Sequence, residues 1–281
     1  MPMLLADSNA LRNPGLKAYL AASRDHHIAL SDLTLVEMRK RNALSTSRES
    51  LLIASKFPAQ VFVLKRTHEI LELNIAGAGG VDALFDYPAG IELARLMRDL
   101  TTLPPPAGLS AEMAMLEREA AAVTAELGRQ MADLEAALVS AAAEFKPDEL
   151  RQLRIARDVS EGTRRTLFRL LKETTGRFFV DNQQRLGRRG IKFSEARGMF
   201  ALRYSLCMTI YYILWVQTGR QTGRAEHLRL NDVVDMQLAA LSTYFNGVLS
   251  TDALVLNTSR GARAILRGYG GYVGEDWIVP R

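Results

Sequence analysis

A short apolar run that stops on a carboxylate occurs near both ends of this chain: "MPMLLAD" closes on Asp7 and "GVLSTD" closes on Asp252. Runs of this kind, apolar on both faces, are the pattern of short strands in a parallel sheet covered on both sides. Parallel strands cannot be joined by a tight turn, so helical crossovers must lie between them. The flanking sequence supplies them. "GLKAYLAAS" has helical spacing after the Asn13-Pro14-Gly15 break, and Ser31 stands as an N-cap ahead of "DLTLVEMRKR". "SRESLLIASKF" reads as another helix, and "QVFVLK", after Pro58, is a β-branched strand. Strands alternating with helices predict an α/β fold with a parallel sheet flanked by helices.

The alternation stops after "AGAGG" (76–80), and "TTLPPPAGLSAEM" forms a proline connector with Ser110 as a helix start. From about 111 to 145 the chain is Ala, Leu, Glu and Met at helical periodicity, broken only by Gly128. Lys146-Pro147-Asp148 interrupts it, and a second helical stretch runs from Asp148 to about Phe179. Two such stretches joined by a short turn predict an antiparallel helical hairpin. A basic loop, "NQQRLGRRGIK", follows. The apolar segment from Met199 to Thr218 is about long enough to span a bilayer, but it carries Arg203 and is read as a buried or interface helix, because a central arginine is costly in lipid. After "TGRQTGR" the α/β character returns with a helix over "NDVVDMQLAAL", the strand "GVLST", the helix "SRGARAILRG" and a terminal strand "DWIVP". The organisation expected is a single α/β domain in two parts, 1–75 and 227–281, split by a long all-helical insertion over 76–226. One continuous parallel sheet should then hold the "LLAD" and "GVLSTD" strands adjacent or nearly so.

At 281 residues and 48% hydrophobic content the chain can bury a substantial core. A net charge of +5 is compatible with a polyanionic partner but too mild to establish one. Cys207 is the single cysteine, which excludes an internal disulfide and a cysteine-rich zinc site. The N-terminus has no basic region before its short apolar run, so an intracellular, cytoplasmic setting is the default. His26, His27, His68 and His227 lack zinc-ligand spacing, no G-x-S-x-G elbow occurs, and "RLGRRGIK" does not fit the phosphate loop of nucleotide-binding proteins.

What remains is acidic. A parallel sheet gathers functional groups at the C-terminal ends of its strands. Asp7 and Asp252 fall there, Asp235 lies on the helix feeding the later strand, and Glu37 lies on an early helix. Four acids in one pocket repel one another strongly unless a cation joins them, and with Mg2+ or Mn2+ the same oxygens form a hard-ligand site suited to phosphate chemistry. Asp232, one turn before Asp235, is either an N-cap following Asn231, the ligand in place of Asp235, or a fifth acid.

"LLADSNAL", "LTLVEM" and "DMQLAALSTYFNGVLSTD" together resemble the acidic signature of PIN-domain nucleases. The resemblance implies a PIN-like sheet in which Asp7, Glu37, Asp235 and Asp252 (with Asp232 as the alternative or additional ligand) hold one or two divalent ions. It also implies hydrolysis of phosphodiesters to 5′-phosphate and 3′-hydroxyl ends, RNA being the more usual substrate. Bacterial members are often toxins or defence effectors. Asn9 and Thr251 would orient the acids or the phosphate, whereas Ser8 reads as a bystander. The helical insertion is not part of the minimal PIN fold; it would hold RNA, a partner protein or a second copy. Arg185, Arg188, Arg189 and Lys192 around two glycines form a phosphate-binding loop candidate, and the arginines between Arg151 and Arg169 form either a second basic face or a solvated helix surface. A non-catalytic PIN-like scaffold that binds a partner, and a structure-specific DNA nuclease, are the competing readings.

Overall fold

The computed structural model of the protein describes residues 2–75, 78–130, 139–140, 142–143, 145–155, 160–188, 190–218 and 226–274. Arg157, Arg189 and the expected strand at 276–280 lie outside the described residues.

The strands are β1 (Met3–Ala6), β2 (His27–Leu30), β3 (Val61–Val63) and β4 (Val248–Leu249), in the order β3-β2-β1-β4, with every pairing parallel. The "LLAD" and "GVLSTD" strands, β1 and β4, are neighbours, as expected: Leu5 pairs with Val248 and Ala6 with Leu249. Helices α1 (Pro14–Ala22), α2 (Asp32–Arg39), α3 (Ala43–Leu51), α4 (Thr67–Ile70), α5 (Tyr87–Thr101) and α6 (Leu109–Gln130) belong to the first half of the chain. Helices α7 (Pro147–Ile155), α8 (Glu161–Arg185), α9 (Phe193–Ala196), α10 (Phe200–Thr218), α11 (Glu226–Ser242) and α12 (Ala253–Gly268) follow.

Period-two alternation along the strands divides the core in two. Ala6, Ile28, Leu30, Val61 and Val63 point to one face, where Leu16, Leu51 and Leu96 of α1, α3 and α5 cover them. Leu5 and Ala29 point to the other face, covered by Tyr211, Leu238 and Val255 of α10, α11 and α12. Both faces are therefore dry, and the sheet is the middle layer of three.

The middle of the chain differs from expectation in one respect. The second long helical stretch is interrupted: Ser160 accepts a hydrogen bond from the Thr163 amide and starts α8 afresh, so a cap sits where periodicity alone suggested continuity. The part of the expected hairpin next to its turn, at 131–138, 141 and 144, lies outside the described residues. Among the described residues α6 lies against α2 and α3, while α8 lies against α10.

Helix α10 is buried over most of its length and packs on α8, α11 and α12; among the described residues no helix is long and apolar enough to cross a membrane. Its Arg203 is fully buried. The guanidinium donates to Thr243 Oγ1 at 2.9 Å, to the Tyr272 carbonyl at 2.7 Å and to the Arg197 carbonyl at 3.2 Å, and lies 4.0 Å from the centre of the Tyr244 ring. Arg263 donates to the carbonyls of Ser242 and Phe245. These two buried arginines hold the turn that leads into β4, and Asn246 completes the attachment by exchanging hydrogen bonds with the Met3 backbone.

Candidate functional site

The strand order makes β1 a switch point. The chain moves from β1 to β2 and β3 on one side and returns to β4 on the other, which opens a crevice beyond the C-terminal ends of β1 and β4. Asp7 is the first residue past β1, and its amide donates to the Leu249 carbonyl at 2.9 Å. The backbone then turns into a 3-10 segment, Ser8–Arg12, because Ala10 and Asn13 close short-range hydrogen bonds.

Glu37 reaches the same crevice through α2. Ser31 caps that helix as expected, accepting from the Thr34 amide at 3.1 Å, and the Thr34 hydroxyl donates at 3.0 Å to the carbonyl of Ala6. This bond pins the first turn of α2 to the end of β1, and Glu37, three residues on, falls on the same helix face. Ser8 then links the acids: its hydroxyl donates to Glu37 Oε2 at 2.6 Å and stands 3.3 Å from Asp7 Oδ1. From the other side Ser250 donates to Asp7 Oδ2 at 2.8 Å. Asn9 and Thr251, the residues expected to orient the acids, are both exposed, and the hydroxyls that reach Asp7 belong to their neighbours. Sequence gave no signal for Ser8 or Ser250, since a serine beside an aspartate is ordinary turn composition.

Asp232 and Asp235 separate clearly. Helix α11 starts at Glu226, so neither residue is a cap. Asp232 is buried, and its Oδ2 accepts a hydrogen bond from the Tyr211 hydroxyl of α10 at 2.6 Å. Asp235 is half-buried, and burial together with the charges of Asp252, Asp7, Glu37 and Asp232, in that order of influence, pushes its carboxyl up to about 8. Glu37 is also raised, chiefly by burial and further by Asp7, against the opposing Ser8 hydrogen bond and Lys40, whose Nζ is 3.8 Å from Glu37 Oε1. Asp252 is exposed and caps α12, with Oδ1 accepting from the Leu254 amide at 2.6 Å; among the described residues Oδ2 has no partner. The carboxylates are thus close enough to feel one another's charge. They do not converge: among the described residues no three His, Cys, Asp or Glu side chains are arranged to hold a metal ion. The donor chemistry, all carboxylate oxygen under mutual repulsion, suits a hard divalent cation.

The basic candidates are dispersed. Arg185, in the last turn of α8, and Lys192 are exposed. Arg188 is half-buried and donates to the Glu72 carbonyl at 2.9 Å, which ties the loop to the body of the protein. Gly187 and Gly190 adopt φ values of 69° and 70°, which explains two glycines within one short loop. Along α8, Arg165 and Arg169 pair with Glu161 and Glu173 of their own helix, as on a solvated face.

No protein-family model, curated protein or solved structure matches this chain.

Proposed function

We propose that this protein is a divalent-metal-dependent nuclease that hydrolyses phosphodiester bonds, built on a PIN-like sheet interrupted by a helical insertion, with RNA favoured over DNA as substrate. The observation that carries this reading is the gathering of Asp7, Glu37, Asp232, Asp235 and Asp252 at a sheet switch point, close enough that the other four, together with burial, raise the Asp235 carboxyl to about 8. Such crowding is unfavourable in an inert protein and is relieved by a cation.

Asp7, Glu37, Asp235 and Asp252 would hold the ion. When bound, it would supply Lewis-acid activation of water and of the leaving oxygen. The chain's own contributions follow from its hydrogen bonds. Ser8 and Ser250 grip Asp7 from two sides, and the Asp7 backbone is fixed to β4. Asp252 is held by its capping bond through Oδ1. Asp235 would lose its proton on binding the ion. Tyr211 holds Asp232 on the α10 side, which favours Asp235 over Asp232 as the ligand. Among the described residues of the basic loop, Arg185 and Lys192 are exposed and would be available to a phosphate backbone.

One observation favours a second reading, a non-catalytic scaffold: the carboxylate oxygens do not meet at one point, and two hydroxyls already satisfy Asp7. Cleavage separates the two. Purified protein with labelled single-stranded RNA and DNA should cut RNA in Mg2+ or Mn2+, leave 5′-phosphate ends, and fall silent in chelator. Binding without cleavage under every cation would favour the scaffold.

A further inference from the structure

Helix α12 presents an exposed face whose own charges are all of one sign. The helix, Ala253–Gly268, contains three arginines and no acidic residue. Val255, Thr258, Ala262 and Leu266 are buried on the side that packs against α10 and α11, and Arg263 is buried on the turn into β4. Asn257, Arg260, Ala264 and Arg267 are exposed. At about 3.6 residues per turn these four positions fall within roughly 100° of arc, so they form one stripe along the helix.

The two ends of the stripe differ. At its start stands Asp252, the N-cap of α12 and a member of the acidic crevice. At its far end, about 24 Å away at about 1.5 Å per residue, Tyr269 and Tyr272 are 50% and 52% exposed. Half-exposed tyrosines are ordinary on a loose turn, but this turn is fixed. Arg197 Nη1 donates to the carbonyls of Tyr269 and Gly270, and Arg203 Nη2 donates to the carbonyl of Tyr272. The Gly271 and Gly274 amides donate to the carbonyls of Leu266 and Thr243, and Gly270, at φ 68°, makes the reversal. All of these bonds use main chain of the turn, so the two rings are presented on a rigid backbone. An exposed acid, Glu195, lies beside the turn, in the cleft it shares with Arg197 and Tyr272 rather than on α12.

We infer that the α12 stripe and the tyrosine pair form a binding face for single-stranded nucleic acid, with Tyr269 and Tyr272 stacking on bases and Arg260 and Arg267 meeting phosphates. Exposed rings beside cations suit a strand whose bases are already unstacked, because every base has a face to offer them. A duplex keeps its bases paired and would meet the arginines alone. Arg260 and Arg267 are about 10 Å apart along the helix, roughly three steps of a strand that rises about 3.4 Å per nucleotide. Rings held on a fixed turn also lose little freedom on binding. An acidic protein segment would satisfy the arginines but leave the tyrosines without a role. The course of the strand toward Asp252 rests on the crevice being a nuclease site; the binding itself does not.

Fluorescence anisotropy with a labelled single-stranded RNA of about twelve nucleotides, titrated in chelator at several salt concentrations, reads binding apart from cleavage. The wild type should bind the single strand and hold a duplex of equal length several-fold more weakly. Tyr269→Ala with Tyr272→Ala should weaken binding by about tenfold or more, whereas Tyr269→Phe with Tyr272→Phe, which keeps both rings, should retain it. Arg260→Ala, in mid-helix and away from the turn, should reduce the log–log salt slope by about 0.7 unit. Unchanged affinity without the two rings, an unchanged slope in Arg260→Ala, or equal affinity for the duplex would overturn the proposal. Tighter binding of polyglutamate than of RNA would overturn it too, in favour of an acidic protein partner. Failure of the wild type to cleave under any cation, with these binding results intact, would count against the nuclease reading alone.

Discussion

Asp7→Asn is expected to lower RNA cleavage by about a thousandfold or more, the loss of about 4 kcal/mol of transition-state stabilisation when a cation site fails. The fold should survive. What fixes this position is main chain: the Asp7 amide bonds to Leu249, its carbonyl accepts from Ala10, and neither bond uses the carboxylate. Asparagine keeps the shape and can still accept from Ser8 or Ser250, so the change removes charge with little else. Without metal, loss of that charge should lower the Asp235 pKa, since Asp7 is one of the groups that raises it. The metal-free variant should consequently melt at or above the wild-type temperature. Single-turnover cleavage and thermal melts in chelator check both halves. Full activity in Asp7→Asn would remove Asp7 from the site.

The second large effect is on stability. Asp235 titrates at about 8 in the folded, metal-free chain, whereas an unfolded aspartate titrates at about 3.9. Between those values the folded state binds a proton that the unfolded state has released. Stability is therefore greatest below about pH 4, as far as this residue contributes, and falls as pH rises through the window to about 8. The slope is about 1.4 kcal/mol for each pH unit crossed. Glu37, also raised, acts in the same direction. Asp235→Asn should flatten most of the slope and stabilise the metal-free protein at pH 8. Divalent cation should stabilise the wild type far more at pH 8 than at pH 5, because at the lower pH it must displace the proton. Urea melts at several pH values in chelator measure the slope. Equal slopes for wild type and Asp235→Asn would show that Asp235 does not hold that proton.

The parts of this architecture that were legible in sequence rest on local chemistry. The "LLAD" run, the Ser31 cap and the β-branched "VFV" after Pro58 each carry their own signal, and the matching runs ending on Asp7 and Asp252 do lie on neighbouring strands. What was not legible depends on meetings between distant segments. Ser8 and Ser250 became partners of Asp7 only because β1 and β4 pair and Thr34 anchors α2 to Ala6. Tyr211 lies in what read as an anonymous apolar helix until its hydroxyl met Asp232, one turn before Asp235. Periodicity identifies an apolar stripe without naming its partner. Ser160 shows the same limit at smaller scale, since a cap is recognisable by composition only when the periodic pattern pauses around it.

A shared cation is tested most directly by diffraction from crystals grown with Mn2+, using its anomalous signal. The expected result is a peak within bonding distance of Asp7 and at least two of Glu37, Asp235 and Asp252, with the Asp235 carboxylate drawn in from its present position. No peak in that crevice at saturating Mn2+, or Mn2+ bound elsewhere with these side chains unmoved, would contradict it.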